Sequence, residues 1–282
     1  MATKGAPAKK RVRPGHSRRG AKRAVPERAA GRRLRVVYDV DGPRVRLGVG
    51  WFLLNLFALI GGRWTVALLY AITAAIAALQ TAKTWRHLRR RPHRVTAGVG
   101  AGAIGMAGAM TTGLVGLAIL ATVGVALFIG YAERTRNPRL DPILDASYTV
   151  RCALFPGFAA ACMAICARFE FGAVVGLIFV VAAYETGDYL VGSGASNPFE
   201  GPIAGATAIV VTTFAFGALD IEPFAFPRAF FFAALAALLC PAGQLVASAV
   251  LPSAAAPASA LRRLDSLLLL APAWAWVVGL LV

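Results

Sequence analysis

Negative charge is scarce in this chain: 13 Asp and Glu stand against 30 Lys and Arg in 282 residues, for a formal net charge of +17. Charge of either sign is also thin, at 15% of residues, while 58% are hydrophobic and the mean hydropathy is +0.65. A water-soluble domain of this length carries far more charge, so that class is excluded. Cysteine is rare. The four present, Cys152, Cys162, Cys166 and Cys240, all lie in apolar runs and imply no disulfide framework. Cys162 and Cys166, one helical turn apart, read as small buried residues. The three histidines, His16, His87 and His93, sit in basic segments and share no metal-ligand spacing with the cysteines, which excludes a zinc site. The apolar runs do not alternate with polar residues, which argues against a β-barrel.

What is present is a series of long apolar runs from about residue 48 to the end. They predict an all-α polytopic membrane protein with about nine transmembrane helices. The expected spans are 47–60, 65–82, two within 96–131 divided near Met110–Gly113, 148–167, 172–191, 201–219, 226–250 and 266–282. Pro156-Gly157 is expected to interrupt the fifth, and Pro241-Ala242-Gly243 the eighth. Gly98 and Gly102 have a small-residue spacing suited to helix packing. A polar loop is expected over 133–147.

Half of the Lys and Arg residues, 15, fall in 1–46, together with Glu27, Asp39 and Asp41. This segment reads as a basic cytoplasmic tail, with 1–36 disordered and a short extended or turn stretch around Asp41-Gly42-Pro43. Beside a membrane span it is drawn to anionic phospholipid. It carries no aromatic residue before Tyr38, so no nucleic-acid partner is expected. It lacks an apolar core with a small-residue cleavage site, so it is not read as a secretory signal. With the N-terminus in the cytoplasm of a multi-pass cell-membrane protein, segments 83–94, 132–147, 192–200 and 251–265 fall inside. Segments 61–64, 111–112, 168–171 and 220–225 fall outside, as does the C-terminus. The inner segments hold most of the basic residues, in keeping with the positive-inside rule.

Against that background the stretch Tyr184-Glu185-Thr186-Gly187-Asp188-Tyr189 stands out. Glu185 and Asp188, at i and i+3, share one helical face at the end of an apolar run. Carboxylates in hydrocarbon are costly and mark a site or a wet cavity by default. The plainer alternative puts both in the headgroup layer. The topology sets Glu185, Asp188, Glu200 and Asp265 at one cytoplasmic level, where they are expected to converge.

These motifs resemble the phosphatidate cytidylyltransferase (CDP-diacylglycerol synthase) family over residues 45–282. The likeness is carried by Glu185-Thr186-Gly187-Asp188-Tyr189, by Glu200-Gly201-Pro202-Ile203-Ala204-Gly205, by Gly243-Gln244-Leu245 with Ala247-Ser248, and by Leu261-Arg262-Arg263-Leu264-Asp265-Ser266 leading into Leu267–Pro272. The resemblance implies transfer of a cytidylyl group from CTP to phosphatidate, with Mg2+ as cofactor and a homodimer as the assembly. It makes Glu185 and Asp265 catalytic candidates and Glu185, Asp188 and Asp265 metal ligands. Arg262, Arg263 and Ser248 become phosphate or nucleotide contacts, with Glu200 and Gly201 as further site residues. Such chemistry rests on positioning and charge neutralisation.

The chain departs from the family pattern at that centre. Gln244 stands where the family has Asp, Ala247 where it has Glu, Leu251-Pro252 where it has Lys-Arg, and Arg262 where it has the first Asp of a pair. The Lys-Asp and His-Gly-Gly stretches further on are replaced by the short Ser253–Ala260 loop. No basic residue remains in Ser193–Phe199. Losing several such groups costs many powers of ten in rate. The fold is therefore expected to be kept and the activity weak or lost. Arg262 and Arg263 either hold an anionic headgroup or anchor the chain on the inner face, and Asp265 either joins the site or pairs with them at a helix N-terminus. The competing reading is a non-catalytic membrane protein that binds lipid or a partner. A transporter ranks behind both, because no internal repeat is present and the acids lie at one face.

Overall fold

The computed structural model describes residues 44–86, 91–138, 140–193, 195, 197 and 199–281, with side chains described from Leu47 onward. Every element among them is a helix: α1 (Arg44–Ile60), α2 (Arg63–Arg86), α3 (Arg94–Ala107), α4 (Thr112–Arg136), α5 (Pro142–Phe169), α6 (Phe171–Gly192), α7 (Glu200–Ala218), α8 (Arg228–Val250), α9 (Ser259–Arg262) and α10 (Leu267–Leu281). Six of them, α2 and α4 to α8, are long and apolar enough to cross a membrane; the apolar parts of α1 and α10 are shorter. The expected tail at 1–46 lies outside the described residues except for Arg44–Arg46, which open α1 rather than a turn.

Local chemistry sets the breaks. Gly62, at φ +83°, turns the chain between α1 and α2 in a conformation that favours glycine. Thr111 caps α4 by accepting from Leu114 N–H at 3.1 Å. Asp141 caps α5 through Ile143 and Leu144 N–H, both at 3.1 Å, with Pro142 in the first turn. Glu170 alone joins α5 to α6, ending one and capping the next. Three expectations are corrected. Pro156 and Pro241 lie inside uninterrupted α5 and α8, where each removes one N–H from the ladder without ending it. The 133–147 loop shrinks to 137–141, because Glu133–Arg136 continue α4 and Pro142–Ser147 open α5.

α5 is the hub, packing on α2, α3, α4 and α10. Its inner surface is nearly all small: Ala153, Ala159, Ala160, Ala161, Ala164 and Cys166 are fully buried. Gly98 and Gly102 do lie against α2, facing Leu79 and Ala75. Buried hydroxyls in this block bond within their own helix, as where Thr81 donates to Ala77 O at 2.8 Å. A second cluster is aromatic: Phe224 meets Phe216, Phe232 and Trp274, whose indole N–H donates to Ala173 O at 3.1 Å. Large apolar side chains such as Phe57, Phe128 and Leu238 are exposed on the outside of the bundle, as a lipid-facing surface requires.

The bundle has two distinct ends. At one, Trp85 donates to Val250 O at 2.9 Å, Arg91 N–H to Asp145 at 3.2 Å, and Ala260 N–H to Gln80 at 2.9 Å. This end gathers the start of α1, the ends of α2 and α8, and the starts of α3 and α5. At the other, Arg168 reaches Met110 O at 2.7 Å and the start of α6 lies against Glu222 O.

Candidate functional site

A cavity of about 1480 Å³ opens between α1, α2, α6, the 254–259 loop and the turn before α10. Its walls come from distant stretches. α1 contributes Leu47, Trp51, Phe52 and Asn55. α2 contributes Tyr70, Gln80, Lys83 and Thr84, and α6 contributes residues from Ile178 to Leu190. Six charged side chains among the described residues line it, Lys83, Glu185, Asp188, Arg262, Arg263 and Asp265, three of each sign.

The cavity is graded along its length. Gln80 on α2 binds α9, and Gly48 of α1 lies nearest Arg263, so these charges belong to the end where α1 starts. Deeper in, Phe52 meets Phe179 edge-on at 5.5 Å, and Tyr70 donates to Asn55 at 2.7 Å. From Tyr70 to Lys83 is 13 residues of helix, roughly 20 Å at 1.5 Å per residue.

Close backbone approach fixes the carboxylates. A Cβ on Gly187 would sit 2.8 Å from Ala204 O, and one on Gly205 would sit 2.6 Å from the Tyr184 ring, so α6 and α7 touch backbone to backbone. Tyr184 is fully buried in that seam. Its hydroxyl lies 3.5 Å from Gln244 Oε1, and Gln244 Nε2 lies 3.5 Å from Asp188 Oδ2, both long, weak contacts. A Cβ on Gly243 would come within 2.3 Å of Asp265 O, which presses the Asp265 turn directly on α8. Asp265 Oδ1 accepts from Ser266 N–H at 2.8 Å, and its Oδ2 stands 3.9 Å from Arg262 Nη1. Burial pushes the Asp265 carboxyl up to about 6, against the pull of Arg262 and of the Ser266 hydrogen bonds. Arg262 is tied to the Ala254 carbonyl at 2.7 Å and to Ser248 Oγ at 3.2 Å.

Glu185 differs from its neighbours. It lines the cavity within electrostatic reach of Asp265, Arg263 and Asp188. Its Oε1 is sealed from water and has no hydrogen-bond partner. Buried polar atoms are nearly always paired, so this oxygen asks for a donor.

Of the residues singled out in the sequence, Glu185, Asp188, Arg262, Arg263 and Asp265 meet in one cavity, and Ser248 supports it through Arg262. Glu200 does not join them. It is exposed as the first residue of α7, where its charge suits the helix N-terminus, and the neighbouring Gly201 is buried beside it. The expected meeting of four acids is thus a meeting of three. Asn55, Tyr70, Gln80 and Lys83 were not foreseen; the one signal was Asn55, a lone amide in an apolar run. Nor does the donor set fit a ready-made magnesium site. Among the described residues no three His, Cys, Asp or Glu side chains stand together as metal ligands, and Asp265 is already engaged by Ser266 and Arg262. A scan against protein-family models gives no match to this chain, and neither does a search of curated proteins.

Proposed function

We propose that this chain is a multi-pass membrane protein built on the plan of the phosphatidate cytidylyltransferases, in which the cavity holds a phospholipid headgroup and cytidylyl transfer is weak or lost. The observation that carries this reading is the meeting of Glu185 and Asp188 with Arg262, Arg263 and Asp265, from a distant part of the chain, in a cavity lined elsewhere mainly by apolar side chains such as Leu47, Phe52, Ile178 and Phe179. Charge at one end and apolar side chains along the rest match an amphiphile. The same geometry supports the weakened chemistry. Gln244 and Ala247 are buried where the resemblance calls for carboxylates, and Arg262 binds Ser248 and the 254 carbonyl instead of supplying one.

In this reading the shorter α1, α3 and α10 cross the membrane along with the six long helices, and the N-terminus is cytoplasmic. In support, the end that carries the charged mouth also carries Lys83, Arg86, Arg91, Arg94, Arg134 and Arg136, while the opposite end carries Arg63, Arg168 and Arg228. Basic residues concentrate on the cytoplasmic side of membrane proteins. The basic tail adds a hold on anionic phospholipid.

The test is direct. Purified full-length protein is given CTP and phosphatidate with and without Mg2+, and the lipid retained is measured by native mass spectrometry. Retained phospholipid with negligible CDP-diacylglycerol supports the proposal. Robust Mg2+-dependent turnover that disappears in Asp265→Asn would replace it with a working transferase. Absence of bound phospholipid would remove the reading altogether.

A further inference from the structure

Resting on that reading of a lipid cavity, we infer that the headgroup it selects is zwitterionic: an amine-bearing phospholipid, with its ammonium on Glu185 and its phosphodiester on Arg262 and Arg263. Two observations carry this. First, the charged side chains described along the lining balance in formal charge, three cations against three carboxylates. A headgroup of net charge −1 or −2 would unbalance a low-dielectric site, whereas an ammonium paired with a phosphodiester leaves it neutral. Second, the Glu185 Oε1 is buried without a partner. The terminal torsion of a glutamate is soft, so a small rotation presents either oxygen to an entering N–H donor. A primary ammonium offers three such donors, and a single carboxylate suffices to receive it. A divalent cation demands several oxygen ligands at once, and no three-ligand set is formed among the described residues.

Glu185 and Arg263 are also placed for a two-ended headgroup. They interact electrostatically while lining the same cavity, and Arg263 lies beside Gly48 at the start of α1. The acyl chains then follow the apolar faces of α1 and α6 past Phe52 and Phe179. Among the described residues α1 packs chiefly along α2 and, more lightly, along α6, so the lipid has a lateral way in.

The experiment uses full-length protein in detergent, stripped of lipid and offered equimolar phosphatidylethanolamine, phosphatidylcholine, phosphatidylglycerol, phosphatidate and N-acetylated phosphatidylethanolamine. Retention is read by native mass spectrometry. The expected result is at least a tenfold preference for phosphatidylethanolamine over phosphatidylglycerol and phosphatidate. Phosphatidylcholine, which has charge but no N–H donor, and the N-acetylated lipid, which has the donor but no charge, fall between or below. Soluble phosphoethanolamine at equal concentration does not displace the lipid; displacement would overturn the lipid assignment. Glu185→Gln is expected to abolish the preference while keeping phospholipid bound. Equal or better binding of phosphatidate, or its promotion above phosphatidylethanolamine by Mg2+, overturns the inference and leaves the lipid cavity standing. If no phospholipid binds, the cavity reading itself has failed. The lipid series on unmodified protein decides between these outcomes whether or not the variant folds.

Discussion

α3 and α5 meet where a Cβ on Gly105 or Gly157 would strike the other helix, whereas α1, α2, α6 and the Asp265 turn meet across a cavity lined by six of the described charges. The first region is assembled from residues with no side-chain entropy to lose and no polar atoms to satisfy, such as Ala97, Ala101, Ala160 and Ala161. In lipid, where apolar contact with a neighbouring chain brings no hydrophobic gain, close packing of this kind is what holds helices together. The second region gives up close packing and keeps buried carboxylates that a stable core would discard. A protein selected for stability alone has no use for the second arrangement, and the proposed function rests on that contrast.

The contrast is broken most severely from the packed side. A Cβ on Gly108 would lie 2.3 Å from Ala161 O and 2.8 Å from its Cα, so neither backbone has room to yield. Gly108→Leu is expected to cost at least about 3 kcal/mol and to abolish monodisperse protein on detergent gel filtration. Gly124→Leu, on α4 where a Cβ meets nothing within 4 Å, is its control and is expected to leave elution unchanged. Equal behaviour of the two would show that the seam is not what holds the bundle.

On the cavity side the corresponding variant is Gly243→Val. It drives a side chain into the Asp265 carbonyl and displaces the turn that carries Arg262, Arg263 and Asp265. A loss of about 2 kcal/mol in stability is expected, together with loss of bound phospholipid. Folded protein that still retains lipid would mean that the turn does not form the site.

Acidity separates the regions again, because the alanines and glycines that form the packed seam carry no ionisable side chain. Burial raises the folded-state value of Asp265 to about 6 from its ordinary 3.8. The folded protein therefore holds this proton more tightly than the unfolded chain does. Its contribution to stability is full below pH 3.8 and is lost as pH rises through about 6. Relative to Asp265→Asn, the wild type should lose about 2 kcal/mol between pH 4 and pH 7, read as a growing gap in Tm. A gap that stays constant across that range would place Asp265 in a better-solvated setting.

How much of this was legible in the sequence follows the same division. The helices were, because runs such as 172–191 are long, uniform and bounded by polar residues; the break read near Met110–Gly113 falls between Ala107 and Thr112. Where local signals misled, neighbours had overruled them. Pro156 sits in a helix packed on five others, and Glu133–Arg136, mostly exposed, simply extend α4. In the cavity, Glu185 and Asp188 were visible because an acid in an apolar run is conspicuous. Gln80 and Lys83 were not, since a polar residue at the end of a basic helix resembles ordinary anchoring until α9 is seen against it. Glu200 was misplaced because its position along the chain says nothing about the direction its side chain takes from α7.

The smallest expected effect is also the one that ties stability to use. Glu185 holds a buried oxygen with no donor; among the described residues the other such unpartnered side-chain atom is Arg94 Nε, at the start of α3. Glu185→Gln keeps the shape and removes the need to hold a carboxylate there. In lipid-stripped protein it should therefore raise stability by about 1 kcal/mol, a shift of a few degrees at most for a chain of this size. Adding phosphatidylethanolamine should close or reverse that gap, because the ligand supplies to the wild type the donor that its carboxylate lacks. Thermal unfolding of both proteins with and without the lipid reads all four values. A variant less stable than the wild type in the stripped state would mean that Glu185 is held by the fold and not kept for a ligand. A stable variant with an unchanged gap on adding lipid would mean that the carboxylate is costly but idle.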